Sequence, residues 1–233
     1  MQKLIGRAYH DLPWHYDKGD EISVLFRTDR DALASLLPPV MTLPDGPGRA
    51  MLTASHHVRS TFGPYVGVYL GFLALHRGKT VLHRIAGMKT SFSGTAAGRE
   101  LWAMPLVTGE PYMTWEGDVL NVVARRQGKD FARLALRLER RVDEPESPYE
   151  DMTSVAHRAA WDKSEKRHVL LGSMVEPADP RDMVFWKADA SLTFQGSDPG
   201  DDWSLLPVHE VLEARYSFGG HSGLAGPTIL EEF

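Results

Sequence analysis

The chain has 233 residues, of which 42% are hydrophobic and 24% charged, as in ordinary soluble globular proteins. Its 26 basic and 31 acidic residues give a formal net charge of -5, which offers no electrostatic footprint for nucleic acid and no attraction to anionic membranes. Cysteine is absent, so disulfides, thiol catalysis and cysteine-ligated metals are excluded.

The sequence also lacks a segment suited to a bilayer or to secretion. The longest apolar run, residues 68–75, has eight residues, whereas a membrane-spanning helix needs about 20. The N-terminal sequence MQKLIGRAYHDLPWHY contains no apolar core like that of a secretory signal. We therefore expect a cytoplasmic protein with no membrane partner and no nucleic-acid partner.

The first half of the chain reads mostly as strands with short helices. Residues 21–27 alternate with period two, which is typical of a half-buried strand. Residues 28–37 open with the pattern of a capping box and carry one apolar stripe before Pro38 and Pro39, which predicts a short helix. The further elements predicted here are strands at 51–58, 66–75 and 80–85 and a helical piece at 96–102.

The second half contains the clearest hairpin, in which 119–126 and 131–139 flank a Gln-Gly-Lys turn. A charged excursion over 140–166 follows, with a partial helix predicted at 154–162. Strands resume at 168–175, 184–194 and 210–218. Many short strands separated by turns predict a mainly β domain spanning residues 1–233, an antiparallel barrel or sandwich with a few helices.

Three kinds of side chain are candidates for chemistry. His56 and His57 are neighbours on a predicted strand, so they point to opposite faces and one of them can face the interior. Lys89 lies in the small-residue stretch 87–94, where a buried amine could have a lowered pKa and form a Schiff base; a solvated lysine is the alternative. Glu116 is a candidate general base or a plain surface carboxylate. No compact metal-ligand pattern is present, and we expect no metal or other cofactor.

Four ordered segments resemble the acetoacetate decarboxylase family: FRTD at 26–29 with the helix DALASLLPP, FGPY at 62–65, AGRELWAMP at 97–105 and LPVHEV at 206–211. The resemblance implies a closed, cone-like antiparallel β-barrel with flanking helices, an interior cavity, a small-molecule substrate and a homo-oligomer. It also implies a chemistry in which a lysine forms a Schiff base with a keto acid, its pKa lowered by a second, adjacent lysine.

The sequence departs from the family where that chemistry is carried. The two family lysines follow the proline of the third segment, and Leu106 and Val107 stand there in this chain. A family carboxylate after the Gly-Pro-Tyr turn falls near Gly67. The resemblance therefore supports the fold and the cavity and argues against the namesake reaction, because a fold alone does not fix a function.

We therefore expect an enzyme with a repurposed cavity, of lyase or isomerase type, that acts on a hydrophobic oxo acid, enone or polyketide-like molecule. Its chemistry would be non-covalent acid–base catalysis of a dehydration, cyclisation, isomerisation or C–C cleavage. A non-catalytic barrel that binds a small ligand and a decarboxylase with its reactive lysine at Lys89 stay open. The candidate catalytic residues are His56, Tyr65, Lys89 and Glu116, and the candidate substrate-binding residues are His57, His83, Arg84, Leu106 and Val107.

Overall fold

The computed structural model describes residues 8–143, 153–158, 169–173, 183–195, 202–224 and 226–233. Their elements in chain order are β1 (Trp14–Thr28), α1 (Arg30–Ser35), β2 (Gly48–Ser60), β3 (Tyr65–His76), β4 (Lys79–Lys89), α2 (Phe92–Trp102), β5 (Leu106–Thr108), β6 (Tyr112–Glu116), β7 (Val119–Arg126), β8 (Lys129–Val142), β9 (Ser154–Arg158), β10 (Val169–Ser173), β11 (Met183–Phe194), a 3-10 helix (Trp203–Leu205), β12 (Glu210–Gly219), β13 (His221–Leu224) and β14 (Pro227–Glu232).

These strands form one 14-stranded sheet in the order β14-β10-β9-β4-β3-β2-β1-β12-β11-β8-β7-β6, with β13 added to β1 and β5 to β4. The pairs are antiparallel except that β4 runs parallel to both β5 and β9. Trp115 on β6 reaches Asp20 on β1, so the sheet curls back on itself. The mainly β class with short helices is confirmed. Within the described residues, no helix combines the length and apolarity needed to cross a bilayer.

Strands β1–β4 bury one face in the main hydrophobic core, which we call the core face. Val24, Leu52 and Val68 lie there and belong to one cluster with Val122 of β7 and Leu134 of β8. These side chains recur at every second position, as the period-two pattern predicts. The core therefore sits between the two halves of the curled sheet.

The opposite face of β1–β4 is covered by α2 and by the N-terminal end of β1, and we call it the α2 face. Trp14, Ala97 and Trp102 pack there against Tyr65. The register places Glu21 opposite Ser55, Ser55 opposite Gly67, and Gly67 opposite Lys89, so one row of residues crosses four strands on this face.

Two predictions made from the sequence are corrected. The helix predicted at 154–162 is wrong where it is described, because Ser154–Arg158 forms β9, paired with β4 and β10; residues 159–162 lie outside the described residues. Burial of Val155 and non-local pairing override the charged local composition. Helix α2 begins at Phe92, earlier than predicted, because the Ser91 side chain accepts a hydrogen bond from the Gly94 amide at 3.1 Å and caps the helix.

A bulge in the β3–β4 pair decides which residues share the α2 face. Leu70 lies opposite Ala86, whereas Gly71 lies opposite Arg84, so one residue of β4 is left over. The extra residue shifts the alternation, and Arg84 consequently points to the same face as Lys89. Gly71 permits the close approach, since a Cβ atom there would lie 2.7 Å from the backbone oxygen of His83.

We expect Gly71→Ala to destabilise the fold by about 1–3 kcal/mol, as overpacking against a backbone atom does. Gly46→Ala is the control: its Cβ would meet nothing within 4 Å, and its cost of about 1 kcal/mol would come from backbone strain at φ +88° alone. Urea unfolding of both variants measures the difference. Equal stabilities for the two would show that the bulge accepts a Cβ atom.

Candidate active site

Lys89, the last residue of β4, is the most unusual side chain of the α2 face. Its side chain is 7% exposed, and its Nζ donates a hydrogen bond to the backbone oxygen of Gly94 in α2 at 3.2 Å. The amine lies 5.3 Å from the ring centre of Tyr65 and 5.7 Å from that of Tyr69. Burial lowers the pKa of Lys89 from 10.5 to about 8, so a sizeable fraction of the amine is unprotonated near neutral pH.

The two tyrosines beside this amine belong to one hydrogen-bonded group and keep their protons. Tyr65 and Tyr69 share a side-chain hydrogen bond, and Tyr69 also bonds the side chain of Ser55. Burial raises the pKa of Tyr69 to about 12 and that of Tyr65 well above its usual value. Both phenols therefore keep their protons at the pH where Lys89 titrates.

Arg84 places a lasting positive charge next to Tyr69. Its Nη1 donates to Thr53 Oγ1 at 2.8 Å and its Nε to Ser154 Oγ at 2.9 Å, while the guanidinium carbon lies 5.6 Å from the Tyr69 ring centre. Desolvation lowers the pKa of Arg84 to about 10, and the charge of Glu21 opposes this lowering. The guanidinium thus remains charged near neutral pH and can face an anion.

Leu106, one of the two positions where the family lysines were expected, packs directly beside Lys89. A Cβ atom on Gly87 would lie 2.5 Å from one methyl of Leu106, and a Cβ atom on Gly98 would lie 2.4 Å from the other. The same Cβ position on Gly98 is 3.9 Å from Lys89 Nζ. The amine of Lys89, on β4, therefore lies next to Leu106 of β5.

Gly67, the position expected for the family carboxylate, is covered by a phenol. A Cβ atom on Gly67 would lie 2.4 Å from the Tyr69 hydroxyl oxygen, so the absence of a side chain there lets Tyr69 fold over the strand. At the position of Gly67 the polar group is thus a protonated phenol, while the carboxylate of Glu21 lies further along the same row of the α2 face.

The structure separates the two neighbouring histidines. His57 is buried on the α2 face, with Nε2 3.1 Å from Ser55 Oγ and its ring 4.6 Å from the ring of Tyr65. His56 points to the core face, where its Nδ1 lies 3.5 Å from a carboxylate oxygen of Asp20 and its side chain is 39% exposed. Only His57 therefore joins the group around Lys89.

His83 and Glu116 lie apart from that group. His83 points to the core face, with its ring 5.2 Å from that of Phe72, and burial lowers its pKa to about 4. Glu116 is exposed at the end of β6. Val107, next to Leu106, is half-buried and lines an open cleft between α2 and β5.

The structure thus brings together five of the candidates, namely Tyr65, Lys89, His57, Arg84 and Leu106. Tyr69, Ser55 and Glu21 were missed by sequence reasoning. The signal that could have found Tyr69 is its spacing of four residues from Tyr65 on one strand, which puts both on one face.

The profile of the acetoacetate decarboxylase family matches residues 7–231, so the chain belongs to this family. No curated protein sequence matches the chain. Among solved structures, acetoacetate decarboxylase from Legionella pneumophila subsp. pneumophila str. Philadelphia 1 has a TM-score of 0.83 at 16% identity, covering 100% of this chain and 92% of that one.

Two further solved structures share the fold. The enduracididine biosynthesis enzyme MppR, complexed with pyruvate, has a TM-score of 0.77 at 17% identity over 96% of this chain and 92% of its own. An acetoacetate decarboxylase-like enzyme from Sphingomonas wittichii RW1 has a TM-score of 0.70 at 17% identity over 97% of this chain and 96% of its own. The fold therefore occurs in enzymes other than the namesake decarboxylase.

The lowered pKa of Lys89 predicts a stability that depends on pH. Between about pH 8 and 10.5 the unfolded chain binds the lysine proton and the folded chain does not, so stability rises with pH across this window. Below it, the buried ammonium lowers stability by about 3 kcal/mol relative to an ordinary lysine.

Lys89→Met should therefore be more stable than the wild type near pH 7 by about 2–3 kcal/mol, and this difference should shrink toward pH 10. Denaturant unfolding at several pH values measures it, with Lys79→Met, an exposed lysine on the same strand, as the control that shows no such trend. A difference that does not change with pH would contradict the lowered pKa.

Proposed function

We propose that the chain is an enzyme that acts on a hydrophobic oxo acid by forming an imine between Lys89 and the substrate carbonyl. The observation that carries this proposal is the buried amine of Lys89, which lies against Tyr65 and Tyr69 and beside Leu106. Amines with lowered pKa values are the ones that attack carbonyl groups near neutral pH. This position of Lys89 favours a relocated lysine over purely non-covalent chemistry.

The imine would supply an electron sink for a C–C bond step. The free amine adds to the carbonyl carbon, and the carbonyl oxygen leaves as water, which gives an iminium ion. In a β-oxo acid the electron pair of the bond to the carboxylate moves to the iminium nitrogen, CO₂ departs and an enamine remains. A proton on carbon and hydrolysis by water then release the ketone and restore Lys89.

The neighbouring side chains suit these steps. The protonated phenols of Tyr65 and Tyr69 can donate hydrogen bonds to the carbonyl oxygen and to the hydroxyl that leaves as water. Arg84 provides the positive charge next to Tyr69. The relative MppR is complexed with pyruvate, which supports a 2-oxo acid as one of the probes.

A second candidate function is non-covalent enolate chemistry. The contact between the Tyr69 ring and the Arg84 guanidinium favours it, since a phenol next to a fixed cation can stabilise an enolate oxygen. This function would tolerate Lys89→Arg, because arginine preserves the positive charge but cannot form the imine. The two candidates are therefore distinguished by covalent trapping.

We expect borohydride to trap an imine with pyruvate, acetoacetate or 3-oxooctanoate, adding one adduct per chain. Trapping should be faster near pH 8 than near pH 6, because the free amine is the attacking species and its pKa is about 8. Intact mass spectrometry measures the adduct, and peptide mapping should place it on Lys89. Lys89→Arg should abolish it, whereas Lys79→Arg should retain it.

Circular dichroism of Lys89→Arg checks that the loss of the adduct does not come from unfolding, and the peptide map of the wild type stands independently of any variant. An adduct on a different lysine, or none with all three probes, would overturn the proposed imine chemistry.

A further inference from the structure

An open cleft of about 430 Å³ lies between α2 and β5, next to the group around Lys89. Its lining includes Phe92 and Arg99 of α2, Leu106 and Val107 of β5, and Arg126 of β7. The volume falls within the range of about 300–1,000 Å³ that is typical of small-molecule sites. The cleft is therefore large enough for an organic acid bigger than acetoacetate.

Leu106 lies between this cleft and Lys89. Leu106 lines the cleft, and its two methyl groups lie against Gly87 and Gly98, where a Cβ position on Gly98 is 3.9 Å from Lys89 Nζ. Because both flanking residues are glycines, the Leu106 methyl groups fill the space that Cβ atoms would take, and the side chain closes the gap between β4 and α2. The side chain is 1% exposed, so in this structure it closes the path from the cleft to the amine.

The backbone of Leu106 is held in place by α2. Arg99 Nη1 donates a hydrogen bond to the backbone oxygen of Leu106 at 2.8 Å, which ties β5 to α2. A path from the cleft to the amine therefore requires the Leu106 side chain to move while its backbone stays bound to α2.

The chemistry of the cleft suits an anion with an apolar chain. Among the described lining residues, Arg99 and Arg126 carry guanidinium groups and Glu100 carries a carboxylate. Arg99 uses one of its five N–H donors on Leu106 and retains others for a ligand. Phe92 is 71% exposed at the start of α2, and with Val107 it provides an apolar surface.

We propose that the cleft is the entrance to Lys89, with Leu106 as its gate, and that it holds the remote carboxylate of an oxo acid whose carbonyl reaches the amine. The substrate class is then an oxo diacid: one carboxylate is β to the carbonyl and leaves as CO₂, and the other lies beyond an apolar chain and binds in the cleft. The choice of substrate rests on the proposed imine chemistry at Lys89, whereas the gate can be tested without any substrate.

Reductive methylation of the lysines with formaldehyde and cyanoborohydride tests the gate, with the extent at Lys89 read from peptide masses and the exposed Lys79 as internal reference. Leu106→Ala should raise the methylation rate of Lys89 about tenfold, and Leu106→Val should raise it less. Val107→Ala, which changes the cleft on the side away from Gly87 and Gly98, should leave the rate within about twofold.

Equal rates for the wild type, Leu106→Ala and Leu106→Val would overturn the gate, as would a Val107→Ala rate as high as that of Leu106→Ala. Because the valine variant removes only one methylene, it keeps the test informative if the alanine variant does not fold.

Imine trapping with 7-oxooctanoate and with 2-octanone tests the carboxylate subsite. Arg126→Gln should raise the half-saturating concentration of 7-oxooctanoate about tenfold, as expected for a lost charge-assisted hydrogen bond. The half-saturating concentration of 2-octanone, which has no carboxylate, should stay unchanged. Equal effects on both probes would overturn the subsite. If Leu106→Ala raises the methylation rate of Lys89 but neither probe is trapped, the imine chemistry would be overturned and the proposed entrance would be retained.

Discussion

The burial of one lysine amine between two tyrosine rings is the feature on which the rest of the site depends. Among the described residues, Lys89 Nζ donates to one backbone acceptor, on Gly94, and lies near the rings of Tyr65 and Tyr69. Such surroundings solvate an ammonium ion poorly, which is why the pKa of Lys89 falls to about 8. The neighbouring phenols respond oppositely to the same burial and stay protonated, so a base and two acids lie side by side.

Several glycines and one β-bulge make this arrangement possible. Gly87 and Gly98 leave room for Leu106, and Gly67 leaves room for the phenol of Tyr69. The bulge at Gly71 turns Arg84 toward the same face. In the family pattern, the repulsion from a second lysine lowers the pKa of the reactive one; here the loss of hydration has the same effect on a lysine that comes from another strand. Burial of the amine lowers the stability of the fold, and proteins commonly trade stability for function in this way.

The sequence predicted the fold class and the family, because period-two patterning and ordered motifs are local signals, and its glycine-flanked stretch raised a buried Lys89 only as one alternative. It could not rank Lys89 above its solvated alternative, since burial of its amine depends on where α2 packs. The sequence showed that His56 and His57 point to opposite faces of a strand. Which histidine lies on the α2 face depends on how the sheet curls. The side of the sheet to which Arg84 points depends on the bulge, and β9 forms by pairing with distant strands. Local composition indicates neither of these features.

The most direct test of the account is the pKa of the Lys89 amine itself, measured by an NMR titration of the lysine side-chain ¹³Cε resonances with Lys89→Arg to assign the signal. The account predicts a transition near pH 8 for Lys89, well below the ordinary lysine value of 10.5. A Lys89 resonance that titrates at the ordinary lysine value of 10.5 would show that the amine is solvated, and the proposed imine chemistry would lose its physical basis.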